Sequence, residues 1–321
     1  HAIRAELLGD ASLSRRPMGR VAAPLRRIGA RISGAKTDGD FLPLTVEGLY
    51  PAIPTRHRLE IPSAQVKSAL LLAALNTPGV TRIEAPPTRD HLERMLRLFG
   101  AEIEVDGTRI ALRGEAELKP RHLCIPGDAS AAAFLAVAAL IVPGSEIRIE
   151  GVGVNPTRIG LYDMLREMGA DIGFSNPREV SGEPVADLEV RDSALTGIEI
   201  PPEIAPGMID EYPILIVAAA FAYGTTRAHG LAELRVKESD RIAAMAALGA
   251  REEGDGLVIQ GSGGAPIAGG LTIDPRRDHR IAMAYAVAGL HSREPIGVAG
   301  MACADTSFPG FEAALGALIT P

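Results

Sequence analysis

Hydrophobic residues along the chain follow two kinds of helical pattern, and each kind recurs. In the first kind, apolar residues return every three or four positions and the run ends at a Gly-Ala pair, as expected for a helix with one buried face and a left-handed glycine at its end. The pairs are Gly29-Ala30, Gly100-Ala101, Gly169-Ala170 and Gly249-Ala250. Their spacing of about 70 to 80 residues predicts a chain built from internal repeats.

The second kind of helical pattern is apolar on nearly all sides, which is typical of a helix buried in a core. Its runs are Ala69 to Leu75, Ala131 to Val142, Ile214 to Ala222 and Ile281 to Leu290. Each run is shorter than the roughly 20 apolar residues that a membrane-spanning helix needs. We see no charged leader with a cleavage site before them. We therefore expect a soluble, cytoplasmic protein.

Short alternating segments follow the first three Gly-Ala pairs. The segment from Ala101 to Val105 is an example, and its alternation of apolar and polar residues predicts a strand. Helices that alternate with strands indicate an α/β protein. With 321 residues, 46% of them hydrophobic, the chain is long enough for about two domains. Pro126-Gly127 lies in the segment 122–128, which is the candidate hinge between them.

Charge and cysteine content argue against several classes of protein. A net charge of −7 argues against nucleic acid or an acidic membrane as the general partner. Two cysteines, Cys124 and Cys303, are too few for a disulfide framework or a zinc cluster, and we interpret both as packed thiols. The segment from Arg89 to Glu93 has no second histidine or cysteine nearby, so we expect a capped helix start there and no metal.

Polar clusters stand at the entrances of the apolar runs, at one place in each repeat. They are Ser63 to Lys67, Gly127 to Ser130, Met208 to Tyr212 and Arg277 to Arg280. The first turn of a helix has free backbone N–H groups and the positive end of the helix dipole. If the repeats pack with similar orientation, these helix starts face a common space, which is a site for phosphate or carboxylate groups. Lys237 and Arg241 are four residues apart, so one helical face would present both to one ligand.

Helix capping is the simpler interpretation of several of these residues. Asp128, Asp210 and Asp278 each stand where an N-cap residue would. Arg280 is harder to explain in this way, because a cation in the first turn opposes the helix dipole unless an anion binds there. For Lys237 and Arg241 a solvated, charged helix start remains the alternative.

Several motifs together resemble the 5-enolpyruvylshikimate-3-phosphate synthase family, and in particular its class II, glyphosate-tolerant branch. They are Ser63-Ala64-Gln65-Val66-Lys67, Arg89-Asp90-His91-Leu92-Glu93, Asn155-Pro156-Thr157-Arg158, Met208-Ile209-Asp210-Glu211-Tyr212-Pro213, Leu234-Arg235-Val236-Lys237-Glu238-Ser239-Asp240-Arg241 and Asp278-His279-Arg280-Ile281-Ala282-Met283. The resemblance extends from Gly9-Asp10-Ala11-Ser12 to Thr306-Ser307-Phe308-Pro309, which is almost the whole chain.

The resemblance implies a two-domain enolpyruvyl transferase fold, α/β in class, built from βαβαββ repeats around buried helices. Residues 1–124 would form most of the domain that binds shikimate 3-phosphate, and residues 125–321 would form the second domain, with the hinge near 122–128. The two domains would close on the substrates. The implied reaction transfers the enolpyruvyl group of phosphoenolpyruvate to the 5-hydroxyl of shikimate 3-phosphate and releases phosphate, in the shikimate pathway to aromatic amino acids. The resemblance calls for no metal or organic cofactor, no nucleic acid and no membrane, and implies a monomer.

The matched motifs imply three catalytic residues, all in the second domain. Asp210 would accept the proton of the hydroxyl, and Glu238 would protonate the methylene carbon of phosphoenolpyruvate. Lys237 would contact both the attacking oxygen and the phosphate.

Other matched residues would bind the substrates. Those at phosphoenolpyruvate would be Gln65, Arg16, Arg241 and Arg280. Those at shikimate 3-phosphate would be Ser63, Arg89 and, through its backbone, Ala64.

The sequence also departs from the family pattern. Family members begin with a Gly-Asp-Lys-Ser segment and carry an Asn-Ala-Gly-rich loop, and neither occurs in this sequence. We therefore expect that the chain lacks roughly the first 110 residues of the family, with a lysine and an arginine of the site. The missing N-terminal segment of this protein, present as a separate chain, is then a candidate partner.

Two alternative functions remain open at this stage. One is the related transferase that acts on UDP-N-acetylglucosamine, which commonly uses a cysteine in a mobile loop, whereas neither cysteine of this chain lies in a comparable glycine-rich loop. The other is a non-catalytic protein that keeps an anion-binding site at its helix starts.

Overall fold

The computed structural model describes residues 1–10, 13–34 and 40–319 of the chain. It divides into two compact units, His1–Cys124 and Ile125–Pro321. Cys124, the last residue of the first unit, is exposed, so the prediction that both cysteines are packed thiols is wrong for this one. It lies in an irregular segment outside the helices and strands.

The first unit contains two sheets. The first sheet has the order β1-β3-β2, and its elements are β1 (Arg4–Leu7), α1 (Gly19–Arg27), β2 (Arg31–Gly34) and β3 (Leu44–Glu47). The second sheet has the order β4-β5-β7-β6, and its elements are β4 (Arg56–Arg58), α2 (Ala64–Ala74), β5 (Val80–Glu84), α3 (His91–Leu98), β6 (Ile103–Asp106) and β7 (Arg109–Arg113). β4 and β5 are parallel and the other pairs are antiparallel, which makes this one βαβαββ repeat.

The second unit continues the same pattern. Its first sheet has the order β8-β10-β9, from α4 (Ala129–Ile141), β8 (Glu146–Gly153), α5 (Gly160–Glu167), β9 (Asp171–Val180) and β10 (Glu183–Arg191). The next has the order β11-β12-β14-β13, from β11 (Glu199–Ile200), α6 (Ala205–Met208), α7 (Tyr212–Phe221), β12 (Thr225–Ala228), α8 (Arg241–Ala244), β13 (Ala250–Glu253) and β14 (Gly256–Gln260). A parallel pair with two helices follows, β15 (Leu271–Ile273), α9 (His279–Ala288), β16 (Ile296–Val298) and α10 (Phe311–Ile319).

The glycines of the four Gly-Ala pairs all have the left-handed backbone that the sequence predicts. Their φ angles are 103° at Gly29, 90° at Gly100, 94° at Gly169 and 84° at Gly249. A strand follows each of them, because the left-handed turn redirects the chain out of the helix and back along the sheet. The internal repeat is therefore present in the structure.

The core of the second unit is built from the apolar helices. α4, α7 and α9 contact one another, every residue of α7 is buried, and all of α4 is buried except Ala131 and Leu135. α2 is different, because within the first unit it packs on α1, β5 and β7, which leaves Leu72 52% exposed. The prediction of a fully buried helix is therefore wrong for α2 in this unit.

The four apolar helices begin earlier than the apolar runs suggest. α2 begins at Ala64 and α9 at His279, so part of the polar cluster forms the first turn of each helix, whereas α7 begins at Tyr212 and most of its polar cluster precedes it. Cap residues explain the early starts of α2, α4 and α9, because a side chain that accepts a hydrogen bond from the first turn lets the helix start among polar residues. As a result the polar clusters lie directly on the helix ends.

No single helix in the described ranges is long and apolar enough to cross a membrane. Pro202–Met208 and Tyr212–Phe221 reach that length and composition only as a pair, and the pair is bent by 118°.

Two repeats share a close approach of a strand end to a buried helix. A Cβ atom on Gly261, just after β14, would lie 2.0 Å from the carbonyl oxygen of Ala222 at the end of α7. A Cβ on Gly114, just after β7, would lie 1.9 Å from the carbonyl oxygen of Thr77 behind α2. Only glycine fits at these points without moving the backbone.

We expect Gly261→Ala to lower the free energy of unfolding of the second unit by about 1–3 kcal/mol, because the added methyl group overlaps a backbone oxygen that cannot rotate away. Urea denaturation followed by circular dichroism measures the change. Gly316→Ala is the control: it lies in α10, its Cβ position is open to space apart from the helix's own backbone in the described part of the chain, and alanine is a better helix former. Equal losses in the two variants would contradict this account.

Candidate functional site

Three helix starts meet in the second unit because α4, α7 and α9 contact one another. Asp128 caps α4 by accepting from the backbone N–H of Ser130 at 3.2 Å, and Asp278 caps α9 by accepting from the N–H of Arg280 at 3.0 Å. At α7 the N-cap position is held by Glu211, whose side chain makes no cap hydrogen bond. The capping interpretation is therefore correct for Asp128 and Asp278 and wrong for Asp210.

Asp278 is a fully buried carboxylate that joins two elements. Besides capping α9, it accepts from Arg241 Nε at 2.9 Å and from Ser239 Oγ at 2.9 Å. An ionised carboxylate in such a place is tolerated only if donors surround it. Asp278 thereby fixes the segment that carries Lys237, Glu238 and Arg241 to the start of α9.

Arg241 is the largest fully buried side chain of the unit, and only 1% of it is exposed. Its guanidinium also donates to Glu238 Oε2 at 2.6 Å and to Asp210 Oδ1 at 3.3 Å. Burial by itself lowers the pKa of Arg241, but the carboxylates around it, Asp278 first among them, outweigh burial and raise the pKa above its ordinary value. The guanidinium is therefore fully engaged with acidic side chains.

Lys237 joins the same group through Asp210. Its Nζ lies 3.6 Å from Asp210 Oδ1, the same oxygen that Arg241 contacts, and 3.7 Å from Glu233 Oε1. The three residues predicted to be catalytic, Asp210, Glu238 and Lys237, are thus brought together around one buried guanidinium. Two carboxyl groups beside an ammonium group can serve as a proton acceptor when ionised and as a proton donor when protonated, and the ammonium group can stabilise negative charge.

Arg280 contrasts with Arg241. Its guanidinium is 12% exposed, and in the described part of the chain its one ionic partner is Glu211, at 3.7 Å between Nη1 and Oε1, with no side-chain hydrogen bond. Arg280 is therefore a cation with donors open to a bound anion. Its charge also acts on its neighbour His279, because burial first and the Arg280 charge second lower the pKa of His279 below its ordinary value.

A second cluster beside Arg280 consists of residues that the sequence analysis assigned neither to catalysis nor to a particular substrate. Glu211, 2% exposed, accepts a short hydrogen bond from Ser130 Oγ. Arg158 donates to Ser130 Oγ at 2.6 Å and to Asp128 Oδ1 at 2.9 Å. Ser130, Arg158 and Glu211 all belong to motifs visible in the sequence, but only packing of the helix starts shows that they touch.

The predicted substrate-binding residues of the first unit lie at the starts of three helices. Ser63 caps α2, with Val66 N–H donating to its Oγ at 3.4 Å, and Ala64 and Gln65 begin that helix. Arg89 stands just before Asp90, the N-cap residue of α3, and Arg16 follows a 3₁₀ turn ahead of α1. Ala11 and Ser12 of the first matched motif lie outside the described residues.

A buried ion pair that the sequence analysis did not predict joins two of these helices. Lys67 Nζ of α2 lies 2.5 Å from Glu93 Oε1 of α3, and both side chains are about 5% exposed or less. Breaking such a pair leaves an uncompensated buried charge. The pair therefore fixes α2 against α3, and with them the residues at their starts.

Comparison with known proteins identifies the family. The family model described as EPSP synthase (3-phosphoshikimate 1-carboxyvinyltransferase) matches residues 1–315 of this sequence. The chain belongs to the EPSP synthase family. The 3-phosphoshikimate 1-carboxyvinyltransferase of Sphingopyxis alaskensis is 58% identical over 336 aligned positions, which cover 99% of this chain and 74% of that protein. The enzyme of the same name from Zymomonas mobilis is 57% identical, over 97% of this chain and 71% of that protein.

Solved structures confirm the fold of this family member. EPSP synthase from Acinetobacter baumannii is 42% identical and superposes with a TM-score of 0.87, covering 99% of this chain and 74% of that one. The enolpyruvyl transferase NikO from Streptomyces tendae, at 17% identity and a TM-score of 0.78, shares the fold. The predicted α/β enolpyruvyl transferase fold is therefore confirmed. The expectation that the chain lacks about 110 residues of the family is not shown: the alignment with the Sphingopyxis alaskensis protein covers 99% of this chain and 74% of that protein.

We expect Asp278→Ala to lower the free energy of unfolding by about 3–5 kcal/mol, because it leaves the buried Arg241 charge without its main partner. Chemical denaturation measures the loss. Asp240→Ala is the matched control, since Asp240 caps α8 but is partly exposed, and its loss should be about 1 kcal/mol. If the two losses are equal, Asp278 contributes capping alone.

Proposed function

We propose that this EPSP synthase family member transfers the enolpyruvyl group of phosphoenolpyruvate to the 5-hydroxyl of shikimate 3-phosphate and releases phosphate. The observation that carries the proposal is the grouping of Asp210, Glu238 and Lys237 around the buried Arg241. The relatives' names support the choice of substrates over UDP-N-acetylglucosamine, because relatives that are 54–58% identical to this chain carry the name 3-phosphoshikimate 1-carboxyvinyltransferase.

The reaction requires a base and an acid, and two carboxylates are available. In the addition step the hydroxyl oxygen bonds to C2 of phosphoenolpyruvate, its proton passes to Asp210, and Glu238 gives a proton to C3. In the elimination step the C2–O bond to phosphate breaks, a C3 proton returns to Glu238, and the proton on Asp210 leaves with the phosphate. We assign the role of base to Asp210 because it lies beside Lys237 and Arg241 in this cluster and is not the N-cap residue of α7.

Arg241 links substrate binding to the acid. Glu238 accepts from Arg241 in the structure, and an anion that binds Arg241 competes with Glu238 for the same guanidinium. A carboxylate that loses a cationic partner binds a proton more readily. Binding of phosphoenolpyruvate at Arg241 and Arg280 would therefore prepare Glu238 to act as the acid.

The two units take different parts in the proposal. We assign shikimate 3-phosphate to residues 1–124, through Ser63, Arg89 and the backbone of Ala64, with Gln65 and Arg16 at phosphoenolpyruvate. We assign catalysis to residues 125–321. We also propose a cytoplasmic monomer without nucleic-acid or membrane partners, a proposal supported by its net charge of −7.

An assay for inorganic phosphate with the purified protein tests the proposed reaction. Phosphate should be released only when shikimate 3-phosphate and phosphoenolpyruvate are both present. Mass spectrometry should then show shikimate 3-phosphate converted to a product that is heavier by one enolpyruvyl group. Release from phosphoenolpyruvate alone would indicate a hydrolase, and binding of both substrates without release would indicate a non-catalytic protein.

We expect Asp210→Asn to lower kcat by about two to four powers of ten, with little change in KM, because the amide cannot accept the hydroxyl proton. Steady-state kinetics measures kcat, and denaturation measures stability. Asp187→Asn is the control, since Asp187 pairs with Arg148 and Arg178 on the sheet of β8, β9 and β10 and contacts no residue of the site in the described structure. Normal turnover of Asp210→Asn would remove Asp210 from catalysis.

A further inference from the structure

Glu211 is a buried acid that the proposed reaction does not use. It immediately follows Asp210 and stands in the N-cap position of α7, yet its side chain caps nothing. Oε1 accepts from Ser130 Oγ and lies 3.7 Å from Arg280 Nη1. Oε2 is buried and has no hydrogen-bond partner. The carboxyl group is thus held on one oxygen and unsatisfied on the other.

The position of Arg280 depends on this contact. Arg280 lies in the first turn of α9, where its charge opposes the helix dipole, and Glu211 is its only ionic partner among the described side chains. A separation of 3.7 Å is too long for a hydrogen bond. Glu211 therefore restricts the position of the Arg280 guanidinium, while the guanidinium N–H groups donate no hydrogen bond to Glu211.

A chain of contacts fixes Glu211 itself. Arg158 donates to both Asp128 and Ser130, so that the Ser130 hydroxyl hydrogen is directed to Glu211. Asp128 and Ser130 lie at the start of α4, and Arg158 stands just before α5. The starts of α4, α7 and α9 are thereby joined through one carboxyl group.

The surroundings of Glu211 favour its neutral form. Burial raises the pKa of Glu211 and the Asp210 carboxylate adds to the increase, while Arg280, Ser130 and Arg158 oppose it. An ionised Oε2 without any donor in a buried position would be more costly than a neutral one. The charged and titratable groups on the elements around it are Asp128, Arg158, Tyr162, Asp210, Asp278, His279 and Arg280.

We propose that Glu211 is a positioning residue for Arg280 and works in its neutral form, holding the guanidinium toward the anionic group of phosphoenolpyruvate without neutralising its charge. The inference rests on the proposed function for the identity of that anion. Ionised Glu211 would form a closed ion pair with Arg280 and would repel the substrate anion beyond it. Substrate binding should therefore weaken as Glu211 loses its proton.

Comparison of the wild type with Glu211→Gln tests how substrate binding depends on pH. Glutamine keeps the acceptor for Ser130 and the shape of the neutral acid but cannot ionise. At the acidic end of the range its kcat/KM for phosphoenolpyruvate should lie within about threefold of the wild type. As pH rises from about 5 to about 9, the ratio of wild-type to Glu211→Gln kcat/KM should fall by about fivefold or more, because only the wild type gains a charge near the ligand.

Alanine tests the positioning role. Glu211→Ala removes the contact with Arg280 and the acceptor for Ser130, so KM for phosphoenolpyruvate should rise by about tenfold, with a smaller effect on kcat and on KM for shikimate 3-phosphate. Asp187→Asn is again the control, and it should leave the pH profile unchanged. If Glu211→Ala fails to fold, the pH ratio of Glu211→Gln still decides the question.

Calorimetric titration of phosphoenolpyruvate into the wild type and Glu211→Gln at both ends of the pH range gives a readout without turnover. Binding with the expected pH difference but without product would contradict the proposed function and support the inference. A ratio that does not change with pH, an equal loss of activity in the glutamine and alanine variants, or no binding at all would overturn it.

Discussion

The structure of the second unit depends on one buried charge, the guanidinium of Arg241. A cation that is 1% exposed persists only when acceptors surround it, and Asp278, Glu238 and Asp210 supply them from three different segments. The arrangement that satisfies Arg241 is therefore the same arrangement that gathers Lys237 with Asp210 and Glu238, to which we assign the roles of base and acid. The contacts that stabilise this unit are thus also the contacts on which the proposed chemistry depends, and Asp278 takes part in them through Arg241.

The repeat explains why this charge can be surrounded at all. Each βαβαββ repeat places an apolar helix against its sheet, and the helix begins among polar residues. When α4, α7 and α9 pack together, their polar starts come close to one another, with the positive helix ends beside the acidic caps Asp128 and Asp278. An apolar interior thus carries a polar site at its edge, without any polar residue having to cross the core.

The two arginines of the site divide the work between them. Arg241 is fully engaged with carboxylates, whereas Arg280 has one ionic partner at 3.7 Å among the described residues. In the proposed reaction an anion would bind Arg280 without breaking an internal hydrogen bond, and binding at Arg241 would release Glu238. One substrate would then both bind the site and change the protonation of a neighbouring carboxyl group.

The sequence by itself determined the repeat, the buried helices of the second unit and the family. Glycines after amphipathic runs, apolar stretches too short for a membrane and a set of charged motifs are local features, so they are readable without contacts. It left Asp210 undecided between cap and base, and it missed the Lys67–Glu93 pair and the Glu211–Ser130–Arg158 cluster. Those depend on which helix starts meet and how deeply they are buried. Packing of elements far apart in the chain sets both, and only the tertiary structure decides it.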